Sequence, residues 1–546
     1  MKFGSTPLDD AEGGVLAHSV KLERAVFKKG RVLSADDVAA LRRAGRTSVV
    51  VARFDADDVN EDEAAGALAR ALAGPHVRLA APFTGRANLI AETAGVVVLD
   101  RSRLDALNLV DEAITFATVA PFEVVEPRQM IGTVKVIPFA APRAVFERCL
   151  EIAQGTKTGG DPMVRVAPLA PHRVGLIQTR LPGTKESVLD GTVQATRTRV
   201  EALGSTLIGE TRCDHDAAAV AQAIQAFQGE RPDILLIAGA SAVVDRRDVI
   251  PAGIEAAGGT VEHFGMPVDP GNLLLLGRLA GRPVLGLPGC ARSPKVNGFD
   301  WVLQRLCADL AVTKRDIMLM GAGGLLMETP LRGQPREREK PAAAAKAPRI
   351  AALVLAAGQS RRMGRNKLLL PIDGTPMVAR TVDALIASSA TDIVVVTGHQ
   401  ADQVRAALAG RGVAFVHNPD FAAGLSTSLK AGLAALPADA DGALVCLGDM
   451  PLVTPAHLDR LIAAFNPVEG RLVCVPTYDG KRGNPVLWAR QFFAEMQALA
   501  GDVGARGLLE RHAEALCEVA MNDAGVLLDV DTPDAFSAVA GAASPP

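Results

Sequence analysis

Residues 350–358 read IAALVLAAG, an apolar run that closes on a glycine. A short apolar run ended by a turn residue fits a strand buried on both faces. The chain continues QSRRMGRNK over 359–367 and then LLLP. Small residues at the strand end allow a tight turn and point successive N–H groups outward. Arg361, Arg362, Arg365 and Lys367 add positive charge that a triphosphate would use. Neither GxxxxGK[ST] nor GxGxxG is present. The residues alone leave two readings open, a phosphate cradle and a solvated basic turn.

The following chain sets the fold class. MVARTVDALIAS (377–388), ADQVRAALAG (401–410) and STSLKAGLAAL (426–436) have helical apolar spacing. DIVVVTG (392–398), VAFVHN (413–418) and GALVCLGD (442–449) read as strands. This alternation predicts an α/β unit, a doubly wound, Rossmann-like, mostly parallel sheet. Ligands of such sheets bind beyond the carboxyl ends of the strands. LAAGQS, TGHQ, HNPD and LGDMP each follow a strand and are expected to line one crevice.

Upstream, LRGQPREREKPAAAAKAPR (331–349) mixes charge, Pro and Ala without periodicity and reads as a linker. Residues 171–330 alternate again, from RVGLIQT (173–179) to NGFDWVLQRLCADL (297–310), for a second α/β domain. Residues 1–170 predict a less regular α+β region, with short strands at VLAHSV, VVVARF, VVVLD and TVKVIPF. The expected organisation is therefore 1–170, 171–330, a linker at 331–349, and 350–546.

Apolar residues make up 49% and charged residues 22%, as in a globular chain with full cores. A net charge of −3 gives no basic field for nucleic acid, and 4% aromatics leave little for base stacking. The seven cysteines form no CxxC pair and no metal-ligand spacing. The N-terminus lacks the apolar core of a signal peptide, and the longest apolar run, ILLIAGASAVV (234–244), is too short to span a membrane. A cytoplasmic protein without nucleic-acid or membrane partners is expected.

Asp449 ends a strand beside the basic loop, where a carboxylate suits Mg²⁺; an Asp before Met-Pro is also a turn former. Asp531 in DVDTP is the candidate second carboxylate, with Asp529 close by and DTP a good helix start. Ser428 fits the first turn of a helix. His399 fits a positioning residue or a plain loop residue.

LAAGQSRRMGRNK resembles the LAAGxSxRMGxxK signature of the MocA/MobA-like nucleotidyltransferases of molybdenum cofactor maturation. TGHQ, HNPDFAAGLSTSLKAGL (417–433), LGDMP, GKRGNPVLW (480–488), GDVGAR (501–506) and DVDTPDA (529–535) follow in the same order. Ala357, where the guanylyltransferase branch carries Gly, is similar to the cytidylyltransferase branch. The resemblance implies transfer of CMP from CTP to the terminal phosphate of molybdopterin, with release of pyrophosphate. It implies Lys367, Arg362 and Asp449 as catalytic, with Asp449 and Asp531 holding Mg²⁺. Leu355, Ala356, Ala357, Gly358, Ser428 and Gly448 would bind the nucleotide, with Ser428 touching the cytosine. Asn484, Asp502 and Arg506 would meet the pterin substrate.

In the first half, IAGASAVVDRRDVIPAGI (237–254) resembles the TGGTGxxxRDVTPEA loop of MoeA/MogA-like molybdopterin-binding domains. In that family the glycine-rich loop holds the pterin phosphate and an Asp acts at the site, which implies Gly239, Ser241 and Asp248 as molybdopterin-binding, with Asp245 the match to the molybdenum-insertion relatives. The acidic segment of molybdate-insertion enzymes is missing apart from Glu186, which points to a binding module. A recipient molybdoenzyme or its chaperone would take the product. Two rival readings are a cofactor carrier with a nucleotide-sensing domain and a nucleotidyltransferase for another phosphorylated small molecule.

Overall fold

The computed structural model describes residues 1–22, 26–155, 161–227, 229–269, 271–293, 295–326, 346–360, 363–499 and 505–542. The C-terminal unit is built on an eight-stranded sheet. Its parallel half runs Ala414–His417, Ile393–Thr397, Ile350–Ala356, Gly442–Leu447 across the sheet. Every residue of Ile350–Ala356 is buried, as an apolar run flanked by strands on both sides requires. Chain order reverses between this strand and Gly442–Leu447, which opens a crevice at their carboxyl ends.

The other half was not anticipated. Val486–Ala489 pairs antiparallel with Gly442–Leu447, Val473–Tyr478 pairs antiparallel with Val486–Ala489, and Leu516–Ala520 runs parallel to Val473–Tyr478. GKRGNPVLW therefore supplies a hairpin turn and a central strand, with Trp488 buried in the core. Helices Met377–Ile386, Leu425–Ala434 and Pro455–Ala464 cover the faces of the sheet. Gly432 lets its helix approach the first strand, since a Cβ there would meet Leu353 Cδ1 at 2.1 Å.

A six-stranded sheet forms the middle of the chain, in the order Thr206–Asp214, Arg173–Arg180, Ile234–Ala238, Arg282–Leu287, Asn272–Leu279, Thr260–Met266. Its first four strands are parallel and its last two antiparallel. Order reverses at Arg173–Arg180 and Ile234–Ala238.

The leading region consists of small sheets and helices, as an α+β reading predicts. Lys2–Pro7, Ser48–Arg53 and Val15–Leu16 form one antiparallel sheet around Leu16, Leu33 and Leu41. A four-stranded antiparallel sheet and the helix Glu61–Leu72 share a second core. The end of the expected linker is pinned here: Ala347 donates to the Arg128 carbonyl at 2.8 Å and accepts from the Arg128 guanidinium at 2.8 Å. The rest of 331–349 falls mostly outside the described residues. Arg78 also donates to Ser389 Oγ at 3.0 Å, joining the leading region to the C-terminal unit. Among the described residues, no helix is long and apolar enough to cross a membrane.

Candidate active site

The loop after Ile350–Ala356 folds back on itself and delivers a lysine. Ser360 takes a left-handed φ of 51°, and its hydroxyl accepts from the Lys367 backbone N–H at 3.2 Å. Asn366 caps the short turn Lys367–Leu369 by accepting from Leu368 N–H at 3.2 Å. Arg361 and Arg362 lie outside the described residues, so the catalytic expectation for Arg362 has no structural account.

Lys367 Nζ meets two carboxylates, Asp449 and, at 2.5 Å, Asp531 Oδ1. The lysine and Asp449 side chains are 12% and 14% exposed, whereas Asp531 is 46% exposed and faces the opening. Burial by itself would lower the Lys367 pKa, but the two carboxylates outweigh it and hold the ammonium charged. Burial pushes the Asp449 carboxyl upward, with Lys367 pulling against that rise.

Two backbone bonds position Asp449. Gly448 donates to the Leu355 carbonyl at 3.1 Å, and the Asp449 carbonyl accepts from Val530 at 3.1 Å. Gly448 thus fastens Asp449 to the first strand from below instead of lining the cavity. Ala356, the last strand residue, is likewise buried beneath it.

The opposite wall comes from Phe421–Ala423 and the helix Leu425–Ala434. Ser428 lies on this wall, 4% exposed. Between the walls is a cavity of about 500 Å³, which Leu355, Ala357, Gly358, Ser428, Asp449 and Asp531 help to line. TGHQ does not line it. A Cβ on Gly398 would come within 2.8 Å of Ala357 Cβ and 2.7 Å of Phe421 Cβ, so this glycine lets the two walls close up from behind. His399 stands near Phe421, with ring centroids 6.1 Å apart.

The site therefore joins a cationic group, two carboxylates, a glycine corner and a hydroxyl-bearing wall at the switch point of a parallel sheet. Residues 352–516 match the MobA-like NTP transferase domain. The molybdenum cofactor cytidylyltransferase of Escherichia coli (strain K12) is 31% identical over 194 residues, which span 34% of this chain and 93% of that protein. The chain belongs to the MobA-like NTP transferase family. The purine catabolism protein PucB of Bacillus subtilis (strain 168) is 30% identical over 215 residues, 36% of this chain and 100% of that protein. A crystal structure of Rv0371C in complex with manganese, from Mycobacterium tuberculosis H37Rv, is 32% identical and covers 35% of this chain and 98% of that one, with a TM-score of 0.32. Residues 5–53 match a domain of unknown function, DUF8806.

The MobA-like match stops at residue 516, yet Asp531 beyond it completes the ion cluster. Asn484 sits where the register Val445↔Val486 reaches the carboxyl edge of the sheet, and its N–H donates to the Val526 carbonyl at 2.9 Å. It supports the segment that leads to Asp531 and does not line the cavity. Asp502 and the Arg506 side chain lie outside the described residues. Gln359, Met363 and Phe421 line the cavity without having been singled out from sequence. Being loop residues with no charge, they carry no signal apart from their position after a strand.

The middle unit brings Gly239 and Ser241 together past the ends of the neighbouring strands Ile234–Ala238 and Arg282–Leu287, in a crevice of about 230 Å³ with Arg292. Arg292 donates to the Gly239 carbonyl at 2.8 Å. Asp248 is placed elsewhere. Its carboxylate caps the helix Val249–Ala256, accepting from Val249 N–H at 2.7 Å and from Val244 N–H at 3.1 Å. Each carboxylate oxygen thus accepts one backbone bond, and the residue supports the loop.

Proposed function

We propose that this MobA-like transferase is a molybdenum cofactor cytidylyltransferase. An oxygen of the terminal molybdopterin phosphate attacks the α-phosphorus of CTP, the α–β bridge bond breaks, and pyrophosphate leaves. The product is a pterin cytosine dinucleotide. The observation that carries this reading is the convergence of Asp449 and Asp531 on Lys367 beside the Ala357 corner.

The attacking phosphate is already ionised near neutrality, because the second pKa of a phosphomonoester is about 6. A general base is not required, in keeping with a cavity whose described lining holds two aspartates and no histidine. Lys367 neutralises charge that builds on the α-phosphate in the transition state. Asp449 and Asp531 suit Mg²⁺: they are hard oxygen donors that already converge on a cation, the lysine ammonium, and Mg²⁺ is commonly held by one or two carboxylates plus substrate phosphates. When bound, the ion supplies charge neutralisation and alignment of the phosphates. Ala357 fills the corner with a methyl group, which suits a pyrimidine over a purine.

In the same reading, residues 1–170, 171–330 and 350–546 are separate domains. The 171–330 domain holds the cofactor through Gly239 and Ser241 without inserting metal, and a cytoplasmic molybdoenzyme or its chaperone receives the product. A second reading, transfer to a different phosphorylated small molecule, stays beside it because the chain also matches PucB, a purine catabolism protein, over 215 residues. Incubating the full chain with molybdenum cofactor, Mg²⁺ and each labelled nucleoside triphosphate separates the two. Transfer of CMP to the cofactor supports the first, and CTP turnover only with another phosphorylated acceptor supports the second.

A further inference from the structure

We propose that Asn418 fixes the hydrogen-bond polarity of Ser428 and so makes that hydroxyl an obligate donor to the base. This deepens the cytidylyltransferase reading and rests on it.

Asn418 follows the strand Ala414–His417 and is 3% exposed. Its own N–H donates to the Thr397 carbonyl at 2.8 Å, which holds it at the sheet edge. The orientation of its amide is settled by a neighbour that can only donate. Asp420 N–H points at Oδ1 from 3.0 Å, so the opposite corner must be the NH₂ group. That group gives one proton to Thr427 Oγ1 at 2.9 Å and the other to Ser428 Oγ at 3.0 Å.

The two hydroxyls then differ. Thr427 passes its proton to the Gly424 carbonyl at 2.8 Å, with the Asp420 carbonyl at 3.1 Å. A serine in a helix can donate to the carbonyl four residues earlier, which for Ser428 is that same Gly424; the hydroxyl that donates there is that of Thr427. Ser428 Oγ has a lone pair occupied by Asn418, and its residue lines the cavity, which leaves the proton for a ligand there. A donor at this place reads an acceptor. N3 of cytosine is an acceptor, whereas N3 of uracil carries a proton. Asn418 is thus a positioning residue that reaches the base only through Ser428.

The test is nucleotide affinity of the full chain, measured by titration calorimetry with CTP and with UTP in the presence of Mg²⁺, alongside KM for CTP in turnover. Asn418→Asp keeps the acceptor for Asp420 N–H but replaces the donor with a carboxylate oxygen. Ser428 then turns its proton to that new carboxylate and offers the base a lone pair. The CTP-over-UTP ratio falls about ten- to hundredfold, the range expected for one hydrogen bond to a buried polar group. The loss falls on KM for CTP. Ser428→Ala gives a similar loss, and adding Asn418→Asp to it changes the ratio no further, because both act on one contact. Asn418→Gln and Asn418→Asp variants that melt alike control for folding. An unchanged ratio in folded Asn418→Asp, or full additivity with Ser428→Ala, overturns the inference. A wild-type chain without preference for CTP overturns the cytidylyltransferase reading instead.

Discussion

Val530 donates its backbone N–H to the carbonyl of Asp449 at 3.1 Å. This bond ties the end of the strand Gly442–Leu447 to a segment that follows the last strand of the sheet, and it brings Asp531 to the same ammonium as Asp449. The ion cluster is therefore assembled by tertiary pairing of two distant loops. Its geometry depends on residues outside the cluster.

Gly483 is one of those residues. A Cβ at this position would lie 2.1 Å from the Val526 carbonyl oxygen. Gly483→Ala is expected to push the segment carrying Asp531 away from Lys367, lowering stability by about 2–4 kcal/mol. Melting and turnover of the purified variant check this, and wild-type values for both contradict it.

Lys367→Ala removes the cation on which both carboxylates converge. Transfer should fall about a hundred- to thousandfold, the scale for one electrostatic group in a water-poor site. Asp449→Asn should cost more activity than Asp531→Asn, since Asp449 is the more enclosed carboxylate. Steady-state kinetics rank the three variants, and a Lys367→Ala enzyme with unchanged kcat/KM refutes the role.

Ala357→Gly deletes the methyl group that packs beside Gly398 and Phe421. The pocket corner widens, and the CTP-over-GTP preference in kcat/KM should fall about tenfold, the lower end of what one methylene contributes in a pocket. An unaltered preference places base selection elsewhere.

Glu61 gives the leading region a pH dependence. Burial raises its pKa from 4.5 to about 7, against the pull of Lys135. A carboxyl with a higher pKa in the fold than in the unfolded chain stabilises fully below the unfolded value. That contribution is lost as pH climbs from 4.5 through about 7. Glu61→Gln should flatten the decline by about 1–2 kcal/mol, roughly half the full conversion because solvent reaches the carboxylate. Parallel stability curves for wild type and variant across that window contradict the assignment.

The parallel half of the C-terminal sheet was legible because its strands and helices alternate in period, and buried strands announce themselves as apolar runs such as IAALVLAAG. Asp449 was legible for the same reason, as a charge just past a strand end, whereas Lys367 stood out only through the resemblance carried by the LAAGQSRRMGRNK run. Asp531 was found as one of two nearby aspartates, and only packing separates it from Asp529. The antiparallel extension through Val486–Ala489 was not legible, since its partners lie far along the chain and the local pattern of RGNPV reads as a turn. TGHQ was expected to line the crevice. It backs the wall because Gly398 sits where Ala357 and Phe421 converge, a three-way contact that no spacing encodes. Asp248 looked like a ligand contact in a glycine-bearing loop; it lies outside the Gly239–Ser241 crevice, and its carboxylate caps a helix and braces the loop before it.

The central claim is tested most directly by identifying the product released from the full chain given molybdenum cofactor, Mg²⁺ and α-labelled CTP or GTP. Label from CTP is expected to appear in a pterin cytosine dinucleotide, with one pyrophosphate released for each CMP transferred. Label transferred from GTP in preference to CTP, or no labelled pterin from either nucleotide with a folded protein, would contradict it.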